Sequence, residues 1–363
     1  MNKSPAAYNP RPERIYMALD RESVLAALRT VKDPELFKDI VTLNMVKDVK
    51  VDGSHVHVHV ELTTPACPLK EKIKSDVEAA VKRIGAQSVN IELSANTRGP
   101  MQPRKDLLPQ VKNVIAVGAG KGGVGKSTIA VNIAVGLQRQ GAQVGLMDGD
   151  IYGPSMPTML GIKGRTPQVQ ASKIIPFHVH GIHAITIGAL VEEEKPLIWR
   201  GPMAHGAFKQ LFSDNTQWPE LDYLIVDLPP GTGDVPLTLC QLLPITGAVV
   251  VAQPQQVALD DAVRAVRMFQ QLGAPILGIV ENMSGEDFGR GGAEKTAQRL
   301  NLPFLGTIPL YRELRINSDA GTPEKNFEGN PQLKEALEKM VQTLAGQISL
   351  RNLQPRTPEL NVL

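Results

Sequence analysis

Aromatic side chains are scarce, at 4% of 363 residues with only two tryptophans. Any core must therefore be packed by Val, Ile, Leu and Ala, and the 42% hydrophobic content is ordinary for a soluble globular protein. Cysteine is scarcer still. Cys67 and Cys240 are the only two, which excludes a disulfide framework. They also leave no complete four-ligand thiolate site within one chain. No apolar run approaches the ~20 residues that a transmembrane helix needs, so no membrane role is expected. Charge of one sign is lacking too. Lys and Arg number 39 against 37 Asp and Glu, a net +2, and no strong pull toward nucleic acid follows from that balance. The first fourteen residues carry proline and charge without an apolar centre. They do not resemble a secretory signal, and cytoplasm is the expected compartment. No internal repeat is found.

Residues 1–20 read as a polar, proline-bearing, mobile tail. Regular pattern begins at Arg21, where Val24, Leu25 and Leu28 suit a short helix ending before Lys32-Asp33-Pro34. Met45–Val51 and Ser54–Leu62 read as strands around the hairpin signal Asp52-Gly53. Leu69–Ile84 is helix-periodic, with Gly85 as a C-cap, and Ser88–Leu93 closes an α-β-β-α-β domain over 21–94. Along the second strand His55, His57 and His59 alternate with valines, so one face carries imidazoles at i, i+2 and i+4. A solvated face opposite the core accounts for them, with metal binding as the alternative. Cys67, in Thr64-Pro65-Ala66-Cys67-Pro68, precedes a helix N-terminus that would stabilise a thiolate. A reactive or metal-binding thiol and a structural one both fit this context.

Residues 95–112, rich in proline and mixed charge, read as a linker. From 113 to 348 apolar strand-like runs alternate with helices: Asn113–Val117, Gln143–Met147, Ile182–Ile187, Tyr223–Asp227, Gly247–Ala252, Ile276–Val280 and Phe304–Ile308. Continuous apolar strands interleaved with helices predict an α/β domain whose mostly parallel sheet is covered on both faces. Residues 349–363 read as a second tail.

The chemistry is concentrated in one stretch. Gly118-Ala119-Gly120-Lys121-Gly122-Gly123-Val124-Gly125-Lys126-Ser127-Thr128 lies between a strand and a helix. Its first part fits G-x-G-x-x-G, the dinucleotide fingerprint, with Asp148 at the expected distance. Gly120 to Ser127 fits the more specific G-x-x-x-x-G-K-S phosphate loop, in which backbone N–H groups cradle phosphates. There Lys126 meets the β- and γ-phosphates and the Ser127 hydroxyl serves Mg²⁺. Gly120, Gly122, Gly123, Val124, Gly125, Lys126, Ser127 and Thr128 are thus the candidate nucleotide contacts.

In an open α/β sheet, ligands sit beyond the C-terminal strand ends. Asp148 and Asp150 end one candidate strand, suiting Mg²⁺ or an attacking water. Asp227 ends another as a Walker B acid, followed by the switch-like turn Pro229-Pro230-Gly231-Thr232-Gly233. Asn282 closes a sixth strand, as an adenine contact or as a turn residue. Cys240, in a helical stretch, reads as a small buried hydrophobe.

The early lysine of Gly120-Lys121-Gly122-Gly123-Val124-Gly125-Lys126-Ser127 resembles the deviant Walker A of the MinD/ParA ATPases. Asp148-Gly149-Asp150-Ile151-Tyr152-Gly153-Pro154-Ser155, Trp199-Arg200-Gly201-Pro202-Met203, the Asp227–Asp234 segment and Glu281-Asn282-Met283-Ser284-Gly285 resemble the Mrp/ApbC branch of that group. Asp33-Pro34-Glu35 and the segment around Cys67 are similar to the small domain shared by iron–sulfur assembly factors. The resemblance spans about residues 22–345. It implies a homodimeric ATPase, using ATP and Mg²⁺, that carries iron–sulfur clusters to client apoproteins or works with assembly factors. It further implies that Lys121 reaches the partner's nucleotide, that Asp150 positions the attacking water, and that Ser127, Asp148 and Asp227 serve Mg²⁺.

One departure stands out. Family members commonly place Cys-x-x-Cys just after the Glu-Asn-Met-Ser segment, whereas Ser284-Gly285-Glu286-Asp287-Phe288-Gly289-Arg290-Gly291-Gly292 has no cysteine. Two copies of Cys67 in a dimer are then the expected cluster ligands. The alternative is a nucleotide-switched, partner-binding dimer that carries no cluster.

Overall fold

The computed structural model describes residues 19–33, 38–65, 69–97, 99, 108–151, 153–189 and 215–353. Two compact units result, one drawn from Met1–Glu61 and Glu71–Ser94, the other from Leu62–Lys70 and Ala95–Leu363.

The first unit opens with α1 (Arg21–Leu28). Asp20 caps it: the Ser23 N–H donates to Asp20 Oδ1 at 2.7 Å, and the Asp20 N–H donates back to Ser23 Oγ at 3.0 Å. This reciprocal pair satisfies donors that a helix start leaves open. β1 (Val46–Asp52), β2 (His55–Leu62), α2 (Lys70–Arg83) and β3 (Ser88–Ala95) follow, the strands ordered β1-β2-β3. Val56, Val58 and Val60 of β2 are buried, as the alternating pattern requires. The histidines between them share the other face and do not converge. His55 meets the Ser88 hydroxyl, His57 Nε2 lies 3.4 Å from Glu92 Oε2, and His59 Nε2 lies 2.7 Å from Ser94 Oγ. Among the described residues no group of three or more His, Cys, Asp or Glu is placed to hold a metal ion.

In the second unit β4 (Val111–Gly118) leads into α3 (Lys126–Arg139), β5 (Val144–Asp148) and the single turn α4 (Met156–Met159). Next come β6 (Gln168–Gln170), β7 (Lys173–Ile175), β8 (Phe177–Val179) and β9 (Ile182–Thr186). Beyond these lie β10 (Leu221–Asp227), α5 (Asp234–Leu242), β11 (Ile245–Ala252), α6 (Gln256–Gln271) and β12 (Ile276–Ser284). The order closes with α7 (Gly292–Arg299), β13 (Phe304–Pro309), α8 (Arg312–Asp319) and α9 (Pro331–Leu353).

Eight strands form one sheet in the order β13-β12-β11-β4-β10-β5-β9-β8. Neighbours are parallel except β8, which runs antiparallel to β9 at the edge. Alternate residues of the central strands feed two cores. Ile115 and Val117 pack with α3 and α9 on one face. Val114 and Ala116 pack with α5, α6 and α7 on the other. This is the α/β sheet, covered on both faces, that the alternation of apolar runs predicts. Among the described residues no helix is long and apolar enough to cross a membrane. Cys240 lies in α5, buried, and burial pushes its thiol up to about 12, which leaves it inert as a ligand or nucleophile at neutral pH.

The sequence reading needs two corrections. The short strands β6 to β8 are absent from it, because three-residue strands carry too little periodicity to register. The assignment of 349–363 as a tail fails over its first residues: α9 continues to Leu353, with Ser349 and Asn352 buried. Asn352 Nδ2 donates to Asn113 Oδ1 at 2.8 Å, and Asn113 Nδ2 donates to the Asp222 carbonyl at 3.2 Å. The end of α9 is therefore fastened to the starts of β4 and β10. Replacing Asn352 with Ala should lower stability by about 1–3 kcal/mol, as expected when a buried polar partner loses its bond. Urea denaturation measures this, and a residue in an unstructured tail would give no change.

Candidate functional site

The parallel strands deliver their C-terminal ends to one edge of the sheet, and the glycine loop leaves β4 there at the centre. β4 lies between β10 and β11, where the strand order reverses direction, the place at which such sheets open a crevice. Three glycines shape the loop for different reasons. Gly123 and Gly125 both take φ of +80°, the left-handed region that side chains resist. Gly120 is set by packing, since a Cβ there would stand 2.0 Å from the Asp261 carbonyl oxygen of α6. At Gly123 a Cβ would meet nothing within 4 Å, so that side of the loop is an open cradle.

Gly125 is the N-cap of α3 and supplies no side-chain hydrogen bond. The first N–H groups of a 14-residue helix are thus left uncapped and face the loop. With the helix dipole they form a ready anion site. A cleft of about 200 Å³ opens over them, lined by Lys121, Gly122, Gly123, Gly125, Lys126, Ser127, Thr128, Asp150 and neighbours.

At its floor Lys126, 6% exposed, is clasped by carboxylates. Its Nζ donates to Asp227 Oδ1 at 2.7 Å and lies 3.3 Å from Asp150 Oδ2. The same ammonium reaches the Ser127 Oγ at 3.2 Å. Asp227 and Asp148 are cross-strand partners on β10 and β5, so two carboxylates stand side by side with almost no exposure. Burial and the Asp227 charge push the Asp148 carboxyl up to about 7. Burial likewise raises Asp227, with Lys126 opposing it. Asp148 is engaged at both oxygens, accepting from the Asp150 N–H at 3.1 Å and from the Thr186 hydroxyl at 2.8 Å. Its expected role at Mg²⁺ therefore meets a carboxylate already occupied in shaping the Asp150 turn. Asp150 Oδ1 and Asp227 Oδ2, by contrast, are buried with no hydrogen bond. Beside the Ser127 hydroxyl, such hard oxygens fit a Mg²⁺ ion with its waters.

The loop is braced from the other side. Asn282 Nδ2 donates to the Val124 carbonyl at 2.8 Å, a bond that a reading of the sequence for adenine contacts does not supply. Gln253, just past β11, donates to Met283 Sδ at 3.0 Å and to the Gly123 carbonyl at 3.4 Å. Neither Gln253 nor Thr186 was singled out from sequence, though each sits at a strand end on the site's edge. Glu281, fully buried, accepts the N–H groups of Gly291 and Ala293 at 2.9 Å and so caps α7. Between them Gly285 and Gly289 exchange backbone bonds of 3.0 and 2.9 Å, closing the cysteine-free turn. Cys67, Tyr152 and Trp199–Met203 lie outside the described residues.

A phosphate cradle ahead of an uncapped helix, a buried lysine and two strand-end acids define a P-loop NTPase. Comparison with known proteins makes this specific. The model of a family described as NUBPL iron-transfer P-loop NTPase matches residues 110–345, and that of an iron-sulfur cluster assembly protein matches residues 21–93. The iron-sulfur cluster carrier protein of Synechocystis is 47% identical over 354 residues, 92% of this chain and 99% of that relative. The nucleotide-binding protein of Archaeoglobus fulgidus, solved in complex with ADP, is 34% identical with a TM-score of 0.55, covering 63% of this chain and 93% of that one. The cell division ATPase MinD of Pyrococcus furiosus, 22% identical, shares the fold with a TM-score of 0.52 over 64% of this chain and 97% of its own. This chain belongs to the NUBPL-type iron-transfer family of P-loop NTPases.

The buried acids predict a pH dependence. Unfolded, Asp148 would lose its proton near 3.8, whereas folded it holds it to about 7. Between those values the folded state binds more protons, so this group's contribution to stability falls as pH rises. In protein free of nucleotide and Mg²⁺, Asp148→Asn should flatten the fall in stability from pH 5 to pH 8. Parallel wild-type and variant slopes in denaturation across that range would contradict the assignment.

Proposed function

We propose that this chain is a cytoplasmic, homodimeric ATPase that carries iron–sulfur clusters to client apoproteins. The observation that carries the nucleotide part is Lys126, buried against Asp227 and Asp150 at the mouth of an uncapped helix. A buried ammonium held chiefly by two carboxylates at an anion cradle is a charge waiting for phosphate. The cargo part rests on membership of the iron-transfer family and on the carrier named among its relatives.

In the proposed cycle the N–H groups around Gly122–Thr128 bind the β- and γ-phosphates of ATP. Lys126 transfers its charge from Asp227 and Asp150 to those oxygens. Ser127 and Asp227 would hold Mg²⁺, with Asp148 acting behind Asp150, and the ion when bound neutralises charge on the phosphate oxygens. Asp150, released from Lys126, orients the attacking water. The water oxygen bonds to the γ-phosphorus, its proton passes to a γ-phosphate oxygen, the bond to the β,γ-bridging oxygen breaks, and ADP and phosphate leave. Lys121, on the cleft lining, is assigned to the partner subunit's nucleotide, which ties hydrolysis to dimerisation. Asn282 braces the loop through the Val124 carbonyl.

The cluster is cargo, and its ligands are assigned to Cys67 from each subunit. Cys240 is excluded by burial, and the turn from Ser284 to Gly292 offers no thiol. That missing thiol pair is the observation behind a second reading, a nucleotide-switched dimer that binds partners without a cluster. Lys121→Ala should retain ATP binding while losing hydrolysis by roughly tenfold or more, the scale at which one charge-stabilising group acts. Equal hydrolysis per subunit in wild type and variant would remove Lys121 from the mechanism. Anaerobic reconstitution with iron and sulfide, followed by absorption spectroscopy, should give a visible chromophore in wild type and none in Cys67→Ala. A colourless wild type under every reconstitution condition would support the second reading.

A further inference from the structure

A line of three asparagines, the inner two buried, leads away from the nucleotide loop. Asn132 lies in α3, one turn beyond Thr128, and donates from Nδ2 to the Thr128 carbonyl at 2.8 Å. Asn326, in the 3₁₀ turn Pro323–Phe327, donates from Nδ2 to Asn132 Oδ1 at 2.9 Å. Asn317 of α8 donates from Nδ2 to Asn326 Oδ1 at 2.9 Å. Asn132 and Asn326 are each 1% exposed, amid apolar packing of α3 and α9. The outer end, Asn317, borders a surface cleft of about 590 Å³.

The chemistry of one end fixes the whole chain. The Thr128 carbonyl can only accept, so Asn132 must turn its nitrogen toward it. Its oxygen then faces Asn326, which must present nitrogen, and the same logic orients Asn317. All three amide dipoles point the same way, toward the first turn of α3, and hydrogen bonds in such a chain polarise one another. Asparagine is a poor choice for a buried helix position on ordinary grounds, since it competes with helix bonding and costs free energy when desolvated. Apolar residues fill the neighbouring buried positions Val131, Ile133 and Val135.

We infer that Asn132 and Asn326 are positioning residues for nucleotide binding. They hold the Thr128 carbonyl and so keep the Lys126–Thr128 turn aimed at phosphate. This rests on the P-loop reading of the site above. It assigns a function to a residue nearly two hundred positions along the chain from the loop it serves, and none of the three asparagines needs to touch nucleotide.

Asn326→Asp is the direct test. A carboxylate has no donor, so it confronts Asn132 Oδ1 with a second oxygen while keeping the shape. Asn326→Asp and Asn132→Ala should each weaken Mg·ADP binding by roughly tenfold, the fold-change equivalent to about 1.4 kcal/mol. The double variant should lose no more than the worse single one, because both cut one chain. Leu337→Ala, in the same apolar core but outside the chain, serves as a control for destabilisation alone. It should lower the unfolding midpoint and leave the dissociation constant unchanged. Calorimetric titration with Mg·ADP gives the constants and thermal denaturation gives the midpoints. Wild-type affinity in Asn326→Asp, or an equal loss in Leu337→Ala, would overturn the inference. Failure of the wild type to bind Mg·ADP would instead overturn the P-loop reading on which it depends.

Discussion

The site depends on one buried ion cluster, Lys126 between Asp227 at 2.7 Å and Asp150 at 3.3 Å. Taking an ammonium out of water is costly unless its counter-ions are close and well placed. The sheet supplies that placement. β10 lies between β4 and β5, so Asp227 emerges beside both the glycine loop and Asp148. Asp148 in turn fixes the backbone of Asp150 through its N–H. Lys126 is held because the strands that carry its partners are held, and their cohesion comes from apolar packing on both faces of the sheet. The protein keeps an unbalanced concentration of acid at this edge, with Asp148 and Asp227 both resisting ionisation. Such a cluster is strained electrostatically until further positive charge arrives, which is a way to make nucleotide and metal binding favourable together.

Around that cluster the loop is held from several sides. α6 presses on Gly120, Asn282 and Gln253 hold the Val124 and Gly123 carbonyls, and Asn132 holds Thr128. The three side-chain braces each grip a backbone carbonyl, which leaves the N–H groups free to point into the cleft. A phosphate cradle needs this polarity, and it is built by side chains far apart in the sequence.

Much of this is legible in the amino-acid order. Apolar strand runs and the G-x-x-x-x-G-K-S loop are dense local signals, and Asp148, Asp150 and Asp227 could be found because each ends such a run. The resemblance to the Mrp branch is likewise upheld by family membership. What stays hidden is what one strand end does to another. That Asp148 spends both oxygens within the protein, that Thr186 and Gln253 matter, and that Asn282 grips the loop are facts of register between β5, β9, β11 and β12. The buried stretch at the end of α9 is missed for a related reason: Asn352 reads as polar, and only the Asn113 side chain opposite makes it an interior residue. The turn at Gly285–Gly289 shows the reverse case, since the missing cysteines there are plain in sequence and the structure adds the Glu281 cap that orders the turn.

The central claim is that Lys126 is parked on Asp227 and Asp150 until phosphate takes its charge. A crystal structure with Mg²⁺ and a non-hydrolysable ATP analogue tests it most directly. The account predicts Lys126 Nζ within hydrogen-bond distance of a phosphate oxygen, its Asp150 contact broken, and Asp227 turned to the ion's ligand shell. A bound analogue with Lys126 still clasped at its present distances from both carboxylates would contradict it.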